Sequence, residues 1–423
     1  MLRTIGIRRS IISSVFSRSI QTSSFTPETV LQTISGYSND WSKALDFFHW
    51  VEQTHEFRHT EATYNATIDV LGKFFEFGLV WDLVSRMKTP DHITFRILFK
   101  RYAAARLVKE AIDAFHRSEE FRLKDRRCFC ILIDALCEHR HVIEAEEICL
   151  GKDAIFEPDT QIYNMLLRGW FKMQWWRRCW DFWERMDKDG VQKDLHSYSI
   201  YMHILLKSGK PCKTIKVYKV IKKKGFILDT VAYNIVVQAV GMANGADDSI
   251  KMFMEMTELG VRPNNVTFNI VIKSLCYWGR FAEAYGFLHQ MGRGDRPAPD
   301  VITYHSFFQY LNRPKEVLQL FEKMLQSGCR PKMDTYVMLL KKFGKWGFLR
   351  PVFHIWNVMQ EQGSCPDGFA YNAFIDALIQ KGMIDLARKY DQEMLLKGLS
   401  AKPRKILGTI NPLLTDPHER SLA

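Results

Sequence analysis

Between residues 265 and 300, apolar and polar positions follow a helical period. Phe268, Val271, Ile272 and Leu275 keep the i, i+3, i+4, i+7 spacing of one apolar helical face. Gly279-Arg280 breaks the run, and Phe281, Ala284, Tyr285 and Leu288 resume the spacing in a second helix. Pro299-Asp300 closes the segment, because proline cannot extend a helix and aspartate caps the next one. The pattern predicts helix, turn, helix, turn.

The segment recurs along the chain. Gly190, Gly225 and Gly260 stand 35 residues apart, as do Gly363 and Gly398. Met256 and Met291 keep that interval, as do Met324, Met359 and Met394, and so do Asn164, Ser199, Asn234 and Asn269. One second-helix position holds Ala111, Ala145, Ala284 and Ala387, with Cys179, Thr214 and Ser249 as other small residues. The closing dipeptide returns as Pro90-Asp91, Pro158-Asp159 and Pro366-Asp367, with Pro263-Asn264 and Pro331-Lys332 as variants. Ten units follow: 61–91, 92–125, 126–159, 160–194, 195–229, 230–264, 265–300, 301–332, 333–367 and 368–402. A degenerate unit spans 26–60, with Ala44-Leu45-Asp46-Phe47-Phe48 in its second helix, and 403–423 reads as a cap or tail. Self-similarity at this period means stacked supersecondary units. The expected fold is all-α, a right-handed superhelical solenoid of helix–turn–helix repeats whose first helices line an inner groove.

Composition narrows the class. Hydrophobic residues make up 47%, with 11 Trp and 29 Phe, enough to fill a long core. No apolar run approaches the roughly 20 residues of a membrane-spanning helix. The formal net charge is +12. Four of those twelve charges (Arg3, Arg8, Arg9, Arg18) lie in the first 25 residues, which contain no acid, leaving eight for the body. An excess of that size suits a polyanion partner if one surface focuses it. The nine cysteines form no C-x-x-C pair, and their spacing fits neither a zinc site nor a disulfide framework. They are expected to be small, mostly buried thiols, and no metal or cofactor is expected.

Residues 1–25 are a separate object. Ser and Arg alternate with Ile5, Ile7, Ile11, Ile12, Val15, Phe16 and Ile20, and the first acid is Glu28. An Arg-rich, Ser-rich, acid-poor amphipathic start is the mark of an organellar transit peptide. Arginine in near-helical register favours the mitochondrion over the chloroplast.

Two repeat families have helix–turn–helix units of this length. The tetratricopeptide pattern W-x2-L-G-x2-Y is absent from the first helices. What recurs instead is an aromatic followed by Asn: Tyr64-Asn65, Tyr163-Asn164, Tyr233-Asn234, Phe268-Asn269 and Tyr371-Asn372. With the closing Pro-Asp and the M-x-x-x-G stretches (Met186 to Gly190, Met256 to Gly260, Met394 to Gly398), the chain resembles the pentatricopeptide repeat proteins of the plain 35-residue (P-class) type found in plant organelles. The resemblance covers about residues 27–402.

That resemblance implies sequence-specific binding of single-stranded organellar RNA, one base per unit, read by the fifth and last residues of each unit. Those pairs are Asn65/Asp91, Arg96/Asp125, Cys130/Asp159, Asn164/Asp194, Ser199/Asp229, Asn234/Asn264, Asn269/Asp300, His305/Lys332, Val337/Asp367 and Asn372/Lys402. The family's pairings give U for Asn with Asp, G for Ser with Asp and C for Asn with Asn. Units with Arg96, Cys130, His305 and Val337 stay silent. The second residue of a unit, implied to wedge between bases, is aliphatic or aromatic in Ile93, Val231, Val266, Ile302 and Phe369, but polar in Arg127, Gln161, His196 and Asp334. Lys73, Lys172, Lys207 and Lys345 share the thirteenth position and are candidates for phosphate contacts. Trp176, Trp180 and Trp183 share a helical face and are expected to pack in the core.

Catalysis finds little support. The zinc-deaminase signature H-x-E with a following P-C-x-x-C is missing, and the stretch after the last unit is too short for an editing or nuclease domain. The reading is a non-enzymatic RNA-binding protein serving mitochondrial RNA processing, stabilisation, splicing, editing support or translation, alone or with other RNA-processing proteins. The alternative is a scaffold on the mitochondrial ribosome or on other proteins.

Overall fold

The computed structural model describes residues 25–151 and 154–400, with Lys402 and Arg404. The Arg-rich start before Phe25 and the tail beyond Arg404 lie outside the described residues. The chain divides into two bodies, one ending at Ser208 and the other beginning at Gly209.

The first body holds α1 (Pro27–Gly36), α2 (Trp41–His55), α3 (Glu61–Lys73), α4 (Phe77–Arg86), α5 (His92–Ala104), α6 (Val108–Arg117), α7 (Arg126–Glu138), α8 (Val142–Leu150), α9 (Thr160–Lys172), α10 (Trp176–Lys188) and α11 (Leu195–Lys207). The second holds α12 (Pro211–Lys223), α13 (Thr230–Ala243), α14 (Ala246–Glu258), α15 (Asn265–Tyr277), α16 (Phe281–Gln290), α17 (Val301–Tyr310), α18 (Pro314–Gln326), α19 (Met333–Trp346), α20 (Leu349–Glu361), α21 (Gly368–Gln380) and α22 (Ile384–Leu396). No β-strand occurs among the described residues. Within each body, first helices pack on the second helices of their own hairpins that lie in the same body and on the first helix of the next hairpin. Each body is thus an all-α solenoid of stacked hairpins with its own continuous apolar core.

The small-residue ladder is the seat where the two helices of a hairpin meet. The fourth residue of the second helix is Val80, Ala111, Ala145, Cys179, Thr214, Ser249, Ala284, Val317, Val352 or Ala387, and each is fully buried. A side chain no larger than valine lets the helix axes approach, and flanking aromatics such as Phe115, Phe268 and Trp356 fill the remaining space. Fully burying one such side chain contributes about 1.5–3 kcal/mol.

The glycine and methionine ladders are one device. Six second helices end in a left-handed glycine (Gly190, Gly225, Gly260, Gly328, Gly363 and Gly398), as at Gly260 (φ 76°). There the Gly260 N–H donates to Thr257 O (3.0 Å) and the Val261 N–H to Met256 O (3.0 Å). This reversed turn satisfies carbonyls that a helix end leaves open, and glycine adopts it without a Cβ clash. Met256, one turn earlier, is fully buried, so the M-x-x-x-G spacing joins a core plug to a helix stop.

Five cysteines (Cys128, Cys137, Cys149, Cys179 and Cys276) are buried, Cys130 and Cys329 are half-buried, and Cys212 and Cys365 are exposed. Burial pushes the Cys128 thiol up to about 11 and that of Cys179 to about 12, so both stay protonated and inert. The tryptophan face is only half-buried. Trp183 lies flat on Tyr201 (4.1 Å between ring centroids, 1° between planes), with Lys193 Nζ 4.0 Å from its centroid. Packing between hairpins takes these rings, and solvent keeps their edges.

Candidate nucleic-acid interface

The last residue of a hairpin has a structural duty before any other. As N-cap of the next first helix, its side chain accepts the backbone N–H three residues on. Asp125 takes Cys128 N–H (2.7 Å), Asp159 takes Ile162 (3.0 Å), Asp194 takes Ser197 (2.7 Å), and Asp229 takes Ala232 (2.8 Å). Asp91, Asn264, Asp300 and Asp367 do the same for Thr94, Thr267, Thr303 and Ala370 at 2.8–3.1 Å. Lys332 has no acceptor to offer. Burial alone would raise the Asp194 carboxyl, but the Ser197 N–H and hydroxyl and the Asn164 amide outweigh it and hold the group below the usual carboxylate range.

The fifth residue leans on that cap. Asn164 Nδ2 donates to Asp194 Oδ1 (3.2 Å), Asn234 Nδ2 to Asn264 Oδ1 (3.3 Å), and Asn269 Nδ2 to Asp300 Oδ1 (3.1 Å). The amide oxygen is fixed from the other side by a threonine hydroxyl of the next hairpin. Thr94 reaches Asn65 (2.8 Å), Thr267 reaches Asn234 (2.7 Å), and Thr303 reaches Asn269 (2.6 Å). Thr94 also touches Asp91 (3.0 Å), so it bridges the Asn65/Asp91 pair. An amide has two N–H donors and two acceptor lone pairs. In Asn234 and Asn269 one of each is spent inside the protein to set the orientation, and one of each remains. In Asn164 the oxygen is buried with no partner, because Ser197 turns its hydroxyl to Asp194 (2.7 Å).

The other fifth residues differ. His305 Nε2 lies 2.8 Å from Thr335 Oγ1, and Ser199 Oγ donates to Leu195 O (2.8 Å). Asn372 donates to Gly368 O (2.6 Å), and its oxygen accepts the Lys402 N–H (3.2 Å) and Arg404 Nη2 (2.8 Å). Arg96 is exposed, and Cys130 and Val337 are half-buried without a bond to a closing residue.

The second residues stand in solvent. Val231, Val266, Ile302 and Phe369 expose 53–72% of their surface and Ile93 48%, a periodic row of apolar side chains with nothing packed on them. Arg127, Gln161, His196 and Asp334 are also exposed. In the first body, the second and fifth residues of neighbouring hairpins line one cleft of about 830 Å³, with Arg96, Arg127, Cys130, Gln161, Asn164 and His196 on its walls.

The four lysines do not behave alike. Lys73 Nζ is held by Ser38 O (3.0 Å) and Asn39 Oδ1 (2.8 Å), and Lys172 pairs with Glu138. Lys207 and Lys345 are exposed. In the hairpins 230–264 and 265–300 the same position carries the exposed Met242 and Tyr277.

Sequence reasoning missed the third residue. Threonine stands there (Thr94, Thr267, Thr303, Thr335) after a hairpin whose fifth residue is Asn65, Asn234, Asn269 or His305. Cys128, Ile162 and Ala370 stand there after Arg96, Cys130 and Val337. The correlation was visible in the chain, but its meaning needed the two positions to be seen in contact.

Among the described residues no cluster of His, Cys, Asp and Glu could hold a metal ion, and no helix is long and apolar enough to cross a membrane. The PPR repeat family profile matches residues 228–277, the pentatricopeptide repeat domain 295–346, and the PPR repeat 127–150, 161–191, 266–295 and 369–399. A mitochondrial pentatricopeptide repeat-containing protein of Arabidopsis thaliana is 52% identical over 391 residues, 90% of this chain and 87% of the relative. The small ribosomal subunit protein mL104 of the same plant is 23% identical over 345 residues, 78% of this chain and 66% of its own length. Among solved structures, the pentatricopeptide repeat protein PPR10 in complex with an 18-nt psaJ RNA element aligns with a TM-score of 0.47 at 18% identity, over 88% of this chain and 61% of that one. With hairpins, caps and a relative matched over 87% of its length in agreement, the chain belongs to the pentatricopeptide repeat family.

Proposed function

We propose that the protein binds single-stranded RNA with sequence selectivity, one base per hairpin along the row of first helices, and serves mitochondrial RNA metabolism without a catalytic centre of its own. The observation that carries this reading is the oriented amide. Asn269 is locked between Asp300 and Thr303 and keeps one donor and one acceptor for a base edge, while the exposed Val266 and Ile302 flank it as apolar surfaces for the base faces. Asn234 repeats the arrangement between Asn264 and Thr267, beside Val231. The pairs then favour U at Asn164/Asp194, G at Ser199/Asp229, C at Asn234/Asn264 and U at Asn269/Asp300. The Arg-rich start and a relative named as mitochondrial support the compartment.

Selection of bound sequences from a random RNA pool with the full chain tests the reading. The wild type should enrich U, G, C, U in succession. Asn269→Ser should move the last of these from U toward G, with a change in discrimination of about 1–3 kcal/mol, by analogy with a specific base contact in DNA. Enrichment without base preference at these four positions would leave a scaffold that grips ribosomal RNA as the better reading. That alternative draws on the polar second residues Arg127, Gln161 and His196.

A further inference from the structure

Residues 92–159 carry the family's hairpins with the reading contacts rewired. The closing carboxylates are engaged by the first residue of their own hairpin. His92 Nε2 lies 3.0 and 3.1 Å from the two oxygens of Asp125, and Arg126 Nη2 is 2.6 Å from Asp159. Neither carboxylate bonds to a fifth residue, and the next third residues, Cys128 and Ile162, bring no hydroxyl. The fifth residues are a guanidinium, Arg96, and a thiol, Cys130, which cannot present a donor–acceptor pair in fixed orientation.

Four arginines converge: Arg96, Arg126 and Arg127 of this segment and Arg168 of the next hairpin line the same cleft. Arg126 is committed to Asp159, and Arg168 to Asp134. The remaining cleft carboxylate, Asp194, caps α11 and holds Asn164. Arg96 and Arg127 are exposed and form no ion pair among the described residues. One stands at the reading position and the other at the wedge position. A guanidinium is always charged, and its planar fork matches a phosphate with two parallel hydrogen bonds.

We infer that residues 92–159 grip the phosphates of a bound RNA and do not read its bases, with Arg96 and Arg127 each taking one phosphate. The two hairpins form a sequence-indifferent clamp next to the reading hairpin 160–194. This inference rests on the RNA-binding reading above and adds which chemical group of the RNA this stretch recognises.

The test uses the full chain and the best RNA from the pool, whose register the hairpins 160–300 set. At the two nucleotides facing 92–125 and 126–159, all four bases and an abasic residue should change Kd less than about twofold. Neutral methylphosphonate linkages at the same place should weaken binding roughly tenfold. Arg96→Gln combined with Arg127→Gln should lower the slope of log K against log salt by about 1.4, so that the affinity lost between 50 and 200 mM salt shrinks about sevenfold. Both side chains are exposed, and an unchanged circular dichroism spectrum would show that the variant keeps its fold. A base preference at either nucleotide that disappears in Arg96→Gln would make Arg96 a base reader and overturn the clamp. Neutral linkages without effect would overturn it as well. Failure of the wild type to bind any RNA would overturn the proposed function together with the clamp, whereas the other outcomes remove the clamp alone.

Discussion

Residues 92–159 and residues 230–300 are built on the same hairpins and use them differently. Both segments bury a small residue at the helix–helix seat, Ala111 and Ala145 in one, Ser249 and Ala284 in the other. Both cap their first helices with the closing residue of the hairpin before. They part at the fifth position, at the third residue of the hairpin that follows and, through Arg127, at one second position. In 230–300 an asparagine is gripped between a cap and a threonine, beside exposed valines. In 92–159 the caps pair with His92 and Arg126, and the fifth residues are left to arginine and cysteine. Packing and surface chemistry are therefore separable in this fold. Residues pointing between helices repeat because every hairpin solves the same packing problem, whereas residues on the open edge of the first helices vary from hairpin to hairpin.

If the scaffold is common to both segments, overpacking should damage them equally. Ala145→Trp and Ala284→Trp each force an indole into a fully buried seat. Overpacking typically costs about 1–3 kcal/mol, and a change from methyl to indole belongs at or beyond the upper end. Thermal melts should show comparable losses, with amide exchange rising in the altered hairpin and its neighbours. A normal melt for either variant would mean that the shared seat is not where the helices meet.

The difference between the segments should appear with the third residue. Thr303→Val removes the hydroxyl that serves the Asn269 oxygen and leaves a buried acceptor without its donor. The cost should be about 1–3 kcal/mol in denaturant unfolding, and Asn269→Val in the same chain should recover most of it by removing the group left unsatisfied. An additive double variant would show that the two side chains are not coupled.

The smallest effect separates capping from reading. Asp125→Ala and Asp300→Ala each remove an N-cap and should each cost about 1 kcal/mol of stability. Only Asp300→Ala also frees an asparagine, so only that variant should relax the preference for uridine at its base. Equal loss of base preference in both variants would erase the distinction between the segments.

Much of this was legible in the chain. The ladders of Gly260, Met256 and Ala284 led to hairpins of nearly constant period, and first helices such as His92–Ala104, Thr160–Lys172 and Val301–Tyr310 begin directly after Pro-Asp pairs. The fifth and closing residues were legible as pairs, since Asn164, Asn234 and Asn269 all bond to the closing residue of their own hairpin. The lysines were less so. Their shared register pointed to one role, but Lys73 and Lys172 reach acceptors on the preceding hairpin while Lys207 and Lys345 remain exposed. A long flexible side chain finds whichever acceptor lies within reach, and register along one helix carries no information about its neighbour.

The sequence by itself determined the all-α repeat, because helical period, stop signals and small seats are local properties that recur along the chain. The tertiary structure decided which polar groups are spent and which are left. The Asn269 amide is oriented by residues 31 and 34 positions away, and Asp125 is engaged by His92, 33 positions before it. Asp300 reaches Asn269, and Asp125 reaches His92, only when a hairpin closes on itself, and Thr303 reaches Asn269 only when the next hairpin stacks on it, so the chemistry of the open edge is a property of folded hairpins and their stack.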